Sequence, residues 1–365
     1  MGAAAIVFYD PSQQLSWASS VWEARPWSDQ PQDGEDTSDS RVSGLSRCHF
    51  HQLIVIVSSH TCMTRRKSHV MVFSIHALNS LSRLLWFQYF VEYPHQYRFI
   101  LDEPDRCLQE SPFLVLVIPV DPHNREARDA IRNTWGKETS VLNRVVSHYF
   151  LLGLSAGRDG TEPVEDVLEE SREHHDILQS DFLDSYHNLT IKTMVMFEWL
   201  STHCPNTSYA MKVDSDIFLN VHKLVDMLLT APQRRYVTGL VARGALVLRF
   251  HQSKWFVPAS VFPDPVYPPY VLGLGYVFSL DLTRAILEAA PHVRAIYIED
   301  VYVGLCLKHS GIQVTNPPRG GLFQSSKPFL IDNCHWTSVI TTIMDSSKEL
   351  LDVWETYERQ REGGC

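Results

Sequence analysis

Tyr209-Ala210-Met211-Lys212-Val213-Asp214-Ser215-Asp216-Ile217-Phe218-Leu219 is the stretch whose reading decides the fold. Residues 209–213 read as a strand, and that strand runs straight into two carboxylates two positions apart. Ligands of open α/β sheets bind beyond the carboxyl ends of the strands, so the active site is expected at this turn. Asp214 and Asp216 can face one hard divalent cation, which in turn neutralises a nucleotide diphosphate. A plain solvated turn is the alternative that the triplet alone leaves open.

Outward from this strand, apolar runs alternate with amphipathic stretches. Residues 113–118 are apolar on both faces, as in a buried central strand. Residues 125–135 read as helix, 145–152 as strand, 162–175 as helix and 176–179 as a short strand. Residues 188–203 carry Leu189, Thr193, Met196 and Leu200 at helical spacing. This alternation is the signature of an α/β fold. Neither GxxxxGK[ST] nor GxGxxG occurs, which disfavours a P-loop kinase and a dinucleotide-binding dehydrogenase.

The 365 residues carry 42 acidic and 32 basic side chains, a net charge of -10. Such a surface repels phosphate backbones, and no nucleic-acid partner is expected. The seven cysteines are too sparse for a zinc ribbon or a disulfide scaffold. Sequons at Asn188 and Asn206 fit a secretory-pathway chain, and Asn188 is expected to be surface-exposed and glycosylated. Residues 1–92 read as a poorly structured stem. Within it, residues 68–92 form at best a marginal membrane anchor, because Asn79, Arg83 and two histidines interrupt the apolar run. Residues 93–365 read as the catalytic domain.

Two further constellations carry chemistry. Ile298-Glu299-Asp300-Val301-Tyr302-Val303-Gly304 sets two acids in apolar sequence, read as a strand or strand end. Carboxylates are costly to bury unless they work or are paired, so Glu299 and Asp300 are each a candidate general base or ion-pair partner. In Arg128-Asp129-Ala130-Ile131-Arg132-Asn133-Thr134-Trp135-Gly136 the arginines share one helix face. They suit either a phosphate clamp or a surface helix capped by Gly136.

These runs occur in one order together with Phe150-Leu151-Leu152-Gly153, residues 181–193, Lys254-Trp255, Tyr267-Pro268-Pro269-Tyr270 and Gly273-Leu274-Gly275-Tyr276-Val277-Phe278-Ser279. Together they resemble the β-1,3-glycosyltransferases of the secretory pathway, most closely the β-1,3-galactosyltransferase branch, over roughly residues 93–354. The resemblance implies a GT-A fold: one Rossmann-like nucleotide-sugar-binding domain with a mixed, mostly parallel sheet. It implies inverting transfer of galactose from UDP-galactose to a 3-hydroxyl of an acceptor glycan ending in GlcNAc, GalNAc or Gal. Mn2+ would be the cofactor and the Golgi membrane, in type II orientation, the location. By position, Asp214 and Asp216 hold the metal, and Asp300 is the base with Glu299 beside it. Arg128, Arg132, Asp181, Lys192, Ser215, Gly273 and Gly275 join Asp214 and Asp216 around the nucleotide sugar. N-acetylglucosamine transfer, or a non-catalytic glycan-binding relative, are the competing readings.

Three departures from the family pattern stand out. Val271-Leu272 replaces a Cys-Ser pair, which leaves Cys107, Cys204, Cys306 and Cys334 with three possible connectivities. The N-terminus lacks a clean apolar anchor. Ile343 stands where the family usually has a histidine taken to be a further metal ligand; Asp345 is a possible substitute, whereas His335 reads as a surface histidine.

Overall fold

The computed structural model describes residues 89–155 and 165–365. The expected anchor at 68–92 and the start of the 162–175 helix therefore lie largely outside the described residues. Among the described residues no helix is long and apolar enough to cross a membrane.

In chain order the elements are β1 (Phe99–Leu101), α1 (Arg106–Glu110), β2 (Leu114–Pro119), α2 (Arg125–Asn133), β3 (Ser140–Val141) and β4 (Arg144–Leu154). Then come α3 (Glu165–His174), β5 (Ile177–Leu183), α4 (Leu189–His203), β6 (Tyr209–Val213), β7 (Ile217–Leu219) and α5 (Val221–Leu228). The chain closes with β8 (Val237–Ala242), β9 (Tyr270–Ser279), α6 (Asp281–Ala289), α7 (Glu299–His309), α8 (His335–Ser338), β10 (Thr341–Ile343) and α9 (Ser347–Glu362).

The main sheet has the order β1-β5-β4-β2-β6-β9-β8. Its central run β5-β4-β2-β6 is parallel, and β1, β9 and β8 join antiparallel at the two sides. The α/β class and the mixed sheet with a parallel core agree with the sequence pattern. Alternate residues of β2 divide the hydrophobic interior, as the two-residue strand period requires. Val115 and Val117 join the core under α4, α6 and α7, whereas Leu114, Leu116 and Ile118 join the core under α2, α5 and α9. Because α4 is covered on nearly every side from Thr190 to Leu200, it is apolar almost all round.

The strand β6 is buried throughout and ends on the acidic turn. Beyond that turn, β7 pairs with β10 in a separate antiparallel ribbon, and the Met344 N–H donates to Asp216 O at 2.7 Å. The Trp135 indole donates to Ile217 O at 2.9 Å. Asp214-Ser215-Asp216 is thus held between the main sheet and the ribbon.

Four expectations need correction. The folded domain begins ahead of Tyr93, since Phe90 bridges Ile296 and the Val91 N–H donates to Ala295 O at 3.2 Å. Glu299 and Asp300 open the helix α7 rather than lying on a strand. An extended Ile298 caps that helix, acids in its first turn suit the positive end of the helix dipole, and burial of most of its length removes the amphipathic pattern that reveals a helix. The disulfides are Cys107–Cys204 and Cys334–Cys365, and Cys306 is a free buried thiol; the C-terminal Cys365 takes the place given to Cys306. Asn188 is half-buried with its amide donating to Leu183 O at 2.8 Å, whereas Asn206 is exposed, so the second sequon is the better placed for a glycan.

Candidate active site

Lys212 is the centre of the site. It is 4% exposed, in the middle of an apolar strand where a lysine must find partners. Its ammonium donates to Asp214 Oδ1 at 2.6 Å, to Glu299 Oε1 at 3.0 Å and to the Gly273 carbonyl. Three acceptors match the three ammonium protons. Burial works against the charge, but the Asp214 and Glu299 carboxylates overcome it and hold Lys212 above the usual lysine range.

The same strand segment of β9 serves the acids. The Gly273 N–H donates to Asp300 Oδ2 at 3.1 Å, and the Val301 N–H donates to Asp300 Oδ1 at 2.8 Å. A Cβ on Gly273 would collide with Glu299 Oε1, so any side chain here would displace that carboxylate from Lys212. Gly304 has a matching reason. Its Cβ would lie 2.6 Å from the Tyr270 Cβ, so the glycine lets α7 pack against the start of β9.

Burial pushes Glu299 up to about 7 against the pull of Lys212, and Glu299 Oε2 is buried with no partner among the described residues. Burial also leaves Asp300 above the ordinary carboxylate range, although the two backbone N–H bonds oppose it. A base whose proton affinity approaches the working pH is the more effective. Asp216 is solvent-accessible, yet crowding by the surrounding chain and the charge of Asp214 raise it to about 6. Two mutually repelling carboxylates at an open turn are hard oxygen donors suited to a divalent cation. Half-buried Ser215 stands between them. Among the described residues no cluster of three or more His, Cys, Asp or Glu is arranged to hold a metal.

Five expected nucleotide-site residues do other work. Arg128 is buried and donates to both oxygens of Glu170, at 2.8 and 2.6 Å, and to Asp121 O at 3.0 Å. Arg132 binds Asp176 through two bonds of 2.8 Å and reaches Glu170 at 2.7 Å. These guanidiniums are paired with carboxylates and tie α2 to α3 and to the start of β5. Asp181 is exposed on β5 and accepts the Arg98 N–H at 2.8 Å, fastening the edge strand. Lys192 is buried, donating to Val120 O at 2.8 Å and Asp184 Oδ2 at 2.6 Å. Gly275 makes room for Met211 inside the sheet, since its Cβ would lie 3.1 Å from that methyl.

Near the ribbon, His335 is buried with Nε2 unpartnered, and desolvation holds it below the usual histidine range. It is not a surface residue. Asp345 is engaged with Lys327 at 2.9 Å. Lys212 is the functional residue the sequence reading passed over. Its signal was present, a lone cation in an otherwise apolar five-residue strand.

A family model described as Galactosyltransferase matches residues 126–318. The chain belongs to the galactosyltransferase family. It is 39% identical over 278 residues to beta-1,3-galactosyltransferase 2 of Pongo abelii, covering 75% of this chain and 65% of that protein. Against the Homo sapiens protein of that name it is 38% identical over 274 residues, 74% of this chain and 64% of that one. Against beta-1,3-galactosyltransferase 1 of Mus musculus it is 39% identical over 275 residues, 74% and 82%. The chain therefore spans a little under two thirds of the length of the first two relatives. A solved structure of the WbbM bifunctional glycosyltransferase superposes with a TM-score of 0.37 at 10% identity, over 68% of this chain and 52% of that one, a likeness too slight to carry an argument.

Arg128→Met tests the structural role given to this family member's first arginine. Removing one partner of a buried ion pair costs about 3 kcal/mol or more, so the urea midpoint should fall while the folded protein binds UDP as before. Unchanged stability with weakened UDP binding would restore the phosphate clamp.

Proposed function

We propose that this chain is an inverting β-1,3-galactosyltransferase that moves galactose from UDP-galactose to the 3-hydroxyl of an acceptor glycan. One observation supports it above the rest: a single buried ammonium touches both Asp214 of the metal turn and Glu299 of the acidic pair, 85 residues further along the chain. Inverting displacement needs one base on the acceptor side and charge neutralisation on the leaving diphosphate. The two acidic groups that share Lys212 would supply these needs.

Asp216, with Asp214 beside it, would hold the cation. A bound Mn2+ supplies the positive charge that stabilises the departing diphosphate. Lys212 keeps Asp214 oriented and neutralises Glu299, so that two adjacent acids at the head of α7 need not both carry an uncompensated charge. Asp300, held by the Gly273 and Val301 N–H groups, accepts the proton of the attacking hydroxyl. The disulfides and the exposed Asn206 sequon support an oxidising compartment, in keeping with the Golgi location that the family resemblance implies.

Asp300→Asn should cut turnover by ~100-fold to 10,000-fold and leave UDP affinity intact, whereas Asp216→Ala should abolish the Mn2+-dependent part of UDP binding. Calorimetry and single-turnover assays check both. Wild-type turnover in Asp300→Asn would dismiss it as base, and unchanged metal-dependent affinity in Asp216→Ala would make the turn a plain one.

Position 343 carries a further prediction. Ile343 pairs with Ile217 across the ribbon, one residue from Asp216 along β7. An isoleucine offers no ligand, so the enzyme should need more Mn2+ than relatives with histidine there. Ile343→His should lower the Mn2+ concentration for half-maximal activity about tenfold, the equivalent of ~1.4 kcal/mol. No change in Mn2+ dependence would mean that a side chain at 343 does not reach the metal.

A further inference from the structure

Beside the acidic centre lies a wall of aromatic side chains that the chemistry above does not use. Trp255 and Tyr186 are 39% and 42% exposed, although each carries a large apolar ring. Between them sits the Lys254 ammonium, 4.7 Å from the Trp255 ring centroid and 5.7 Å from that of Tyr186. The wall is fixed from behind. The Tyr297 hydroxyl shares its one proton between Lys254 O at 2.9 Å and Phe256 O at 3.0 Å, and the Tyr297 ring lies 6.4 Å from that of Tyr186. Phe256 turns inward, 5.7 Å from Tyr89, which leaves its neighbour Trp255 turned out.

Its position relative to the acids follows from Tyr297, which packs on the Tyr186 ring, bonds to the backbone of Lys254 and Phe256, and stands two residues before Glu299 and three before Asp300. Rigid rings that stay open to solvent beside a charged centre suit a ligand with one apolar and one polar side. A pyranose is such a ligand. Its axial C–H groups form a weakly positive face that meets the negative face of an aromatic ring, while its hydroxyls remain free for hydrogen bonds.

We propose that Trp255 and Tyr186, with Lys254 between them, form the platform for the terminal pyranose of the acceptor, its C–H face on the rings and one hydroxyl turned toward Asp300. This rests on the transferase reading above, and it adds the surface that orients the attacking sugar. The fixed backbone of residues 254–256 means that little ordering is needed when the sugar arrives.

The test uses the full chain with Trp255→Ala, Tyr186→Ala and Trp255→Phe. Acceptor KM should rise about tenfold or more in the two alanine variants, as for loss of an aromatic anchor, with KM for UDP-galactose unchanged. Trp255→Phe should recover most of the loss because the ring face is kept. An acceptor KM within twofold of wild type in Trp255→Ala overturns the platform. A second measurement does not depend on transfer. Saturation-transfer NMR with the methyl glycosides of N-acetylglucosamine, N-acetylgalactosamine and galactose should give a signal for at least one with the wild type and lose it with Trp255→Ala. Signals that are equal in both proteins, or absent from both, overturn the proposal. A signal lost in Trp255→Ala from a wild type that transfers no sugar keeps the platform and removes the transferase reading instead.

Discussion

A lysine buried in a central strand must be surrounded by acceptors or lose its charge, and that constraint on Lys212 organises the catalytic half of the molecule. Its acceptors come from the turn after β6, from the backbone of β9 and from the first turn of α7. Each must stop at the right point for the ammonium to be satisfied. Gly273 is fixed by the same demand, because any side chain would push Glu299 off Lys212. Asp300 then follows as the next residue on the helix, aimed by the N–H of that glycine. The turn at 214–216 and the first turn of α7 are therefore positioned by one interaction.

The protein contains a second buried charge cluster, and the contrast between the two separates structure from function. Arg128 and Arg132 meet Glu170 and Asp176 in bonds of 2.6 to 2.8 Å, and the arginines hold both carboxyls below their ordinary range despite burial. That cluster is satisfied, and it ties α2 to α3 and to the start of β5. Around Lys212 the balance is incomplete. One ammonium faces Asp214, Glu299 and the nearby Asp300, Glu299 Oε2 has no partner among the described residues, and Glu299 and Asp300 stay above their ordinary range. Incomplete compensation of buried acids is a property of working sites, and a bound cation and diphosphate would alter that balance.

Much of this was legible in the amino-acid pattern. The strands at 113–118, 145–152 and 209–213 and the helix at 188–203 were readable because buried strands and a deeply buried helix produce unbroken apolar runs. Asp214 and Asp216 were readable because they follow a strand directly. The start of α7 was misread for the same physical reason that α4 was easy. Burial on most sides removes periodicity, and a short apolar run bearing two acids resembles a strand. Arg128, Arg132 and Asp181 could not be assigned from spacing, since their partners Glu170, Asp176 and the Arg98 backbone lie far away in sequence. Pairing of Cys334 with Cys365 depended on where the C-terminal helix ends, which no local pattern encodes.

The central claim is that the turn at 214–216 and the acids at 299–300 are two walls of one site. The most direct measurement is anomalous X-ray scattering from crystals grown with UDP and Mn2+. A manganese peak bonded to Asp216 and to the diphosphate is expected, with Asp300 facing the open side of the diphosphate and no contact from Arg128 or Arg132. A peak remote from Asp216, or a diphosphate held by the two arginines, would contradict it.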